Sequence, residues 1–320
     1  MNKTLIVLAI IAAVSANFLP KEDETMFKFM KFIRENNKEY KTIEEFQTRF
    51  TIFKANILVA GEQESYNRFM DQSSEEFKGL LNLNYASIPA VKAVSERYRV
   101  KNVMGELPET HDWRDHKAVG AVKDQGGCGS CWAFSAIGNL EGLYAIKSGK
   151  QEIFSEQLLV DCDKNGDQGC NGGLMDNAFG WLAQEGNGVE LSADYPYKGV
   201  DQKCKKTADK IFKGLKVTSF QDVAQNEEEI RRVLFENGPL SIAVDATAFQ
   251  TYHGGILKSC HFGGLNHGVT LVGYGEEAGV KFWIIRNSWG TGWGEKGYIR
   301  LARGKGLCGM NQAVSTAILA

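Results

Sequence analysis

Between residues 42 and 60 the apolar positions Ile43, Phe46, Phe50, Phe53 and Ile57 recur at spacings of 3, 4, 3 and 4. That period lays them on one stripe and predicts a long amphipathic helix. Thr42-Ile43-Glu44-Glu45 opens it in capping-box form, Thr at the N-cap and Glu three residues on. Met26 to Ile33 is also helix-like. Residues 82–105 lose periodicity and read as an extended linker, and Gly105, Glu106 and Pro108 mark a boundary. A further helix is expected from Cys131 to Ser148 with Gly149 as its stop. Loops rich in Gly and Asp follow at 161–173. Strand-like runs come last: Leu240 to Val244, Val269 to Tyr274, Phe282 to Arg286 and Tyr298 to Leu301. Helices early and strands late predict an α+β fold in two lobes rather than alternating βαβ units. Neither internal repeats nor low-complexity tracts interrupt the pattern.

Composition narrows this picture. At 320 residues, 43% hydrophobic and 24% charged, the chain suits two domains, or one large domain with an accessory segment. A net charge of −2 argues against a nucleic-acid binder that works by general electrostatics. Lys3, the short apolar run Leu5 to Val14 and the small residues Val14-Ser15-Ala16 read as a signal peptide over 1–16, with a mature start near Asn17. A buried N-terminal helix is the alternative. The run is too short for a membrane span of ~20 residues, and no membrane anchor is expected. Entry into the secretory pathway implies an oxidising compartment. All seven Cys lie at or after Cys128, so residues 17–105 form a Cys-free segment with 14 Lys/Arg and 13 Asp/Glu.

Cys128-Gly129-Ser130-Cys131-Trp132 is the densest chemical signal. As a C-x-x-C it admits a disulfide-oxidoreductase reading, but the βαβ setting such a motif needs is missing. A zinc site is disfavoured because no second C-x-x-C exists. The string also fits C-G-[SA]-C-[WY], a nucleophile signature. At the start of a helix, Cys131 would sit where the macrodipole favours a thiolate. Of five His, His111 and His116 lie near the mature start with no expected strand to hold them. His253 lies in a Gly-rich turn, and His261 follows a Cys suited to a disulfide. His267 opens the strand-like Gly268 to Tyr274, 136 residues after Cys131, within the spacing typical of such a Cys–His pair. An ion pair of thiolate and imidazolium is expected. Asn287 follows the run Phe282 to Arg286, in Asn287-Ser288-Trp289-Gly290.

Together these motifs resemble a papain-like cysteine protease precursor of the cathepsin L type, over nearly the whole chain after the signal peptide. The resemblance implies a papain-like two-lobed fold, a helical lobe plus a β-barrel-like lobe, over 106–320. It also implies an inhibitory helical propeptide over 17–105. By the same resemblance Asn287 orients His267 under the shield of Trp289. Gln125 and the Cys131 backbone N–H serve the oxyanion. Gly172 and Gly173 form the wall that pairs with substrate backbone, and Leu174, Met175, Ala243, Leu265, Asn266, Gly268, Trp289 and Ala313 line the substrate site. The uncharged pocket implies an apolar P2 preference.

The remaining six Cys admit several pairings by sequence. The family pattern gives Cys128–Cys170, Cys162–Cys204 and Cys260–Cys308. In the propeptide, Glu45, Arg49, Phe53 and Asn56 match the long-helix motif, with departures at Ala60 and Glu64. Asn67-Arg68-Phe69-Met70-Asp71 matches the second motif except for Ser65 in place of its leading Gly. Expected partners are polypeptide substrates, the propeptide as intramolecular inhibitor, and protein inhibitors of cysteine proteases. No metal, cofactor or nucleic acid is implied, and a monomer is expected. Activation is expected at acid pH by cleavage between Val103 and Leu107. The destination is lysosome, vacuole or secretion. The one N-x-[ST] site, Asn2-Lys3-Thr4, falls inside the expected leader. A non-catalytic binding protein on the same fold is the alternative, disfavoured because Cys131, His267 and Asn287 are all present.

Overall fold

A computed structural model describes residues 20–83, 96–97, 106–184 and 187–320. The expected signal peptide, most of the 82–105 linker and the Val103–Gly105 part of the expected cleavage region lie outside the described residues. The chain divides into two compact units, Met1–Ser73 and Ser74–Ala320.

In the first unit, helix α1 (Pro20–Glu35) is longer than the stretch expected from Met26 to Ile33. Helix α2 spans Ile43–Ala60, and its N-cap Thr42 accepts a hydrogen bond from the Glu45 amide. The reciprocal bond goes one residue earlier than a capping box requires: Glu45 accepts from the Lys41 amide at 2.7 Å. The apolar stripe is buried at Phe50, Phe53 and Ile57, with Phe46 packed against the same cluster, but Ile43 at its head is 58% exposed. An aromatic cluster joins the helices. Phe29 lies 5.1–5.3 Å from Phe46, Phe50 and Phe53, and Phe53 meets Tyr66 edge-on at 5.3 Å. The returning chain is held by polar groups. Asn56 donates to the Met70 and Gln72 carbonyls, Lys38 and Tyr40 hold the buried Asp71 carboxylate at 2.8 and 2.9 Å, and Arg49 donates to its carbonyl.

The second unit opens with helix α3 (Ser74–Lys78). Its centre is helix α4 (Cys131–Ser148), stopped by Gly149 in left-handed geometry at φ 71. Nearly every residue of α4 up to Ala145 is buried, as expected for a helix that is apolar on all sides. Its polar residues are therefore bonded. Ser135 donates to the Val269 carbonyl, and Asn139 donates to the Pro239 carbonyl while accepting from the Ala317 amide. On one side α4 packs against α5 (Glu156–Cys162) and α6 (Met175–Leu182).

On its other side lies a nine-stranded sheet. The strands are β1 (Glu96–Arg97), β2 (His111–Asp112), β3 (Val217–Asp222), β4 (Leu240–Val244), β5 (Ile256–Leu257), β6 (His267–Glu277), β7 (Val280–Arg286), β8 (Tyr298–Ala302) and β9 (Val314–Leu319). Their order is β1-β3-β9-β4-β6-β7-β8-β5, with β2 added to β6. Helix α7 (Glu227–Asn237) packs on β6. The expectation that no strand holds His111 is corrected: His111 pairs with Tyr274 through β2 and β6. A two-residue strand carries too short a pattern to be read in sequence. Three disulfides, Cys128–Cys170, Cys162–Cys204 and Cys260–Cys308, tie loops to this frame, and Cys131 is free and buried.

Candidate active site

Cys131 is the first residue of α4 and is fully buried. The N-cap Ser130 does not cap the helix with its side chain; its hydroxyl pairs with that of Tyr197 at 2.7 Å. The Ala133 and Phe134 amides donate to the Ser130 carbonyl, and the Cys131 and Trp132 amides face the sulfur. Burial nevertheless pushes the Cys131 thiol up to about 11, against the pull of the Gly268, Trp132 and Cys131 amides that hydrogen-bond to it.

His267 begins β6, in register with Val244 of β4, while Gly268 faces Ala243. A Cβ on Gly268 would come 3.2 Å from the Cys131 carbonyl oxygen. Helix start and strand start therefore meet. The His267 Nε2 lies 2.8 Å from Asn287 Oδ1. The same Asn287 oxygen accepts from the Ser288 amide, which fixes the side-chain flip and makes Nε2 the donor. His267 Nδ1 is buried without a partner. Trp289 stacks on the imidazole at 4.7 Å, and His267, Asn287 and Trp289 are all buried. Burial lowers His267 to about 4, with the Asn287 bond acting against it. Both shifts have the same cause, burial, and both favour the uncharged thiol and imidazole while the site is covered.

Gln125 is 1% exposed. Its Oε1 accepts from Ser288 Oγ at 2.7 Å, and its Nε2 donates to the Cys128 carbonyl at 2.9 Å. One amide hydrogen is thus committed. Lys123 supports the same turn: its carbonyl accepts from the Gly290 amide, and its ammonium bonds the buried Glu141 and Glu156 carboxylates. Nothing in the sequence pattern pointed to this ion network, whose members lie 15 or more residues apart.

Leu174, Met175, Ala243 and Leu265 are buried in one apolar cluster, with Ala313 against it. Leu83 belongs to that cluster. Its backbone pairs with Gly173 in a parallel bridge, and its amide donates to the Asn266 carbonyl at 3.2 Å. A side chain at Gly172 would collide with the Asn82 carbonyl oxygen, so glycine is required for the chain to pass there. Phe77 of α3 meets Trp289 edge-on at 5.5 Å. Sequence reading missed Phe77 and Leu83. Leu83 lies between two Asn in a stretch without period, and only an isolated apolar residue marks it.

Residues 107–318 match the papain family cysteine protease profile. A cysteine proteinase of Trypanosoma brucei brucei is 42% identical over 327 aligned positions, spanning 98% of this chain and 72% of that protein. A viral cathepsin of Spodoptera exigua nuclear polyhedrosis virus (strain US) is 39% identical, with 99% of each chain covered. Among solved structures, the digestive procathepsin L2 proteinase from Tenebrio molitor larval midgut aligns with a TM-score of 0.83 at 30% identity, covering 92% of this chain and 99% of that one. The ragweed pollen allergen Amb a 11, a cysteine protease in its proform, gives 0.80 at 35% identity, covering 94% and 96%. The chain belongs to the papain family of cysteine proteases, as a precursor of the cathepsin L type. Its activity is that of a cysteine peptidase carried as a zymogen.

Proposed function

We propose that this chain is a cysteine endopeptidase in which Cys131 attacks the substrate carbonyl and His267 relays the proton. Asn287 and Trp289 orient and shield the imidazole. The observation that carries the reading is the meeting of Cys131 at the α4 start with a His267 whose Nε2 is held by Asn287 and whose Nδ1 is bare. When substrate replaces the covering segment, the thiol proton passes to Nδ1 and the resulting thiolate adds to the carbonyl carbon. His267 then returns the proton to the leaving amine, and water hydrolyses the thioester. The Cys131 amide and the uncommitted Gln125 amide hydrogen serve the oxyanion.

Leu83 in the apolar cluster supports two further parts of the proposal, an apolar P2 preference and inhibition by the segment before residue 106. We assign 17–105 as propeptide, with cleavage between Val103 and Leu107 in acid. Residues 1–16 would be a signal peptide, directing the chain to secretion or to a lysosome or vacuole. The three disulfides fit an oxidising compartment. Fluorogenic peptides that differ only at P2 test the pocket: Leu and Phe should be preferred, since burying either is worth ~1.5–3 kcal/mol and an unpaired Arg is costly. A preference for Arg would reject it.

A further inference from the structure

Beneath the glycine wall lies a pair of acids that the reaction does not use. Asp163 caps the C-terminus of α5 and is fully buried, and Asp167, four residues on, is 4% exposed. The two carboxyl groups interact with each other electrostatically. Each uses Oδ1 elsewhere: Asp163 accepts from the Asn165 amide at 2.9 Å, and Asp167 from the Leu174 amide at 2.9 Å and Asn177 Nδ2 at 3.0 Å. The Oδ2 of each is buried and receives no hydrogen bond from any donor among the described residues. Two carboxylates cannot hydrogen-bond without a proton between them, and burial makes a double negative charge costly.

The neighbouring charges do not relieve that repulsion. Lys164, exposed on the same loop, acts weakly on Asp163 and spends its ammonium on the Val160 carbonyl. On α5, Asp161 is engaged with Gln157, Tyr195 and the Gln202 amide, and Glu156 with Lys123. Asp201 accepts from the Cys170 amide, and Asp176 lies in the first turn of α6. Burial first, and then the charge of its partner, raises Asp167 far above the usual carboxylate range; burial likewise raises Asp163.

Asp167 also touches the substrate side. A Cβ at Gly173 would lie 2.8 Å from its Oδ1 and 2.6 Å from the Trp132 ring, next to Cys131. We propose that Asp163 and Asp167 share one proton, and that this proton positions the Gly172–Gly173 wall and the Leu174 pocket, so that affinity for peptide is highest in acid and falls when the pair gives the proton up. The proposal rests on the reading of Gly172 and Gly173 as the substrate wall. Asp163 and Asp167 are positioning residues: they act through the loop, not on the scissile bond. The sign follows from linkage. A carboxyl raised in the fold contributes stability in acid, and that stability is lost as pH rises towards its folded value.

Asp167→Asn reproduces the protonated state, since an amide donates to Asp163 and accepts from Leu174 at any pH. Two measurements on full-length chain, before and after acid maturation, test the proposal. Infrared spectra at neutral pH should show a protonated-carboxyl stretch in the native chain that Asp167→Asn removes; Asp163→Asn, which also ends the sharing, is the second variant should the first not fold. From about pH 5 to about pH 9, native KM for a fluorogenic peptide should rise ~10-fold, the effect of a one-unit shift of the pair on binding, with kcat following the same profile in both proteins. The Asn variant should hold KM flat. No such band, or superimposable KM profiles, would overturn the proposal. Absence of the band from the native chain with peptide cleavage intact condemns the pair alone, whereas a native band without any cleavage after maturation condemns the substrate-wall reading on which it rests.

Discussion

At the scale of single residues, the site's chemistry depends on what covers it. Burial favours the neutral forms of Cys131 and His267, pushing Cys131 up to about 11 and His267 down to about 4. Alkylation of Cys131 in the intact precursor should therefore be slow at neutral pH and accelerate only towards alkaline pH. After maturation, alkylation should remain fast well into acid, because a hydrated imidazolium then supports the thiolate. Rate-versus-pH curves of iodoacetamide labelling measure this, and identical curves before and after maturation would contradict it. Asn287 acts through orientation, so Asn287→Ala should lower kcat more than it raises KM. His267→Ala should cost roughly 10²–10⁴ in kcat, the usual worth of acid–base catalysis. Thr42→Ala removes the N-cap side-chain bond of α2 and should cost ~1 kcal/mol in thermal denaturation of the first unit.

At the scale of elements, the loops matter as much as the helices. The Cys128–Cys170 bridge joins the residues before α4 to the glycine loop, and Gly129 also donates to the Cys170 carbonyl. Cys128→Ser should destabilise by ~2–5 kcal/mol in chemical denaturation without removing the nucleophile. A redox protein would instead lose its chemistry equally with either Cys. Gly173→Ala places a methyl against Trp132 and Asp167 and should raise KM, as peptide titration will read.

The elements differ in how plainly the sequence announces them. The α4 boundaries and the strand from Leu240 to Val244 emerge at their expected residues, because a Gly stop and a compact apolar run are local signals. Val217–Asp222 and Val314–Leu319 were missed: β3 alternates irregularly and pairs with β9 across a bulge, so its register is set by tertiary partners. Likewise Cys131, His267 and Asn287 are legible because motif and spacing agree. Leu83, Phe77 and the Asp163–Asp167 pair acquire meaning only through residues that folding brings to them.

At the scale of the whole molecule, acid should work on the covered site of the second unit. His267 is driven to charge when pH falls below the ordinary imidazole range, and burial opposes that charge. Its folded value is lowered, so the unfolded or uncovered form binds more protons, and the covered state loses stability as pH falls from ~6.5 towards about 4. Acid should thus favour release of residues 74–83 from the site, while the three bridges should retain the frame. Cys131→Ala precursor should stay unprocessed alone in acid but be cut between Val103 and Leu107 by added active enzyme, as N-terminal sequencing will read. The most direct measurement is titration with an epoxide-type thiol inhibitor before and after acid treatment, with the labelled peptide located by mass spectrometry. The account predicts no rapid labelling at neutral pH and one equivalent on Cys131 after acid, appearing together with peptidase activity. Full labelling and activity at neutral pH with residues 17–105 attached, or peptidase activity in Cys131→Ser, would contradict it.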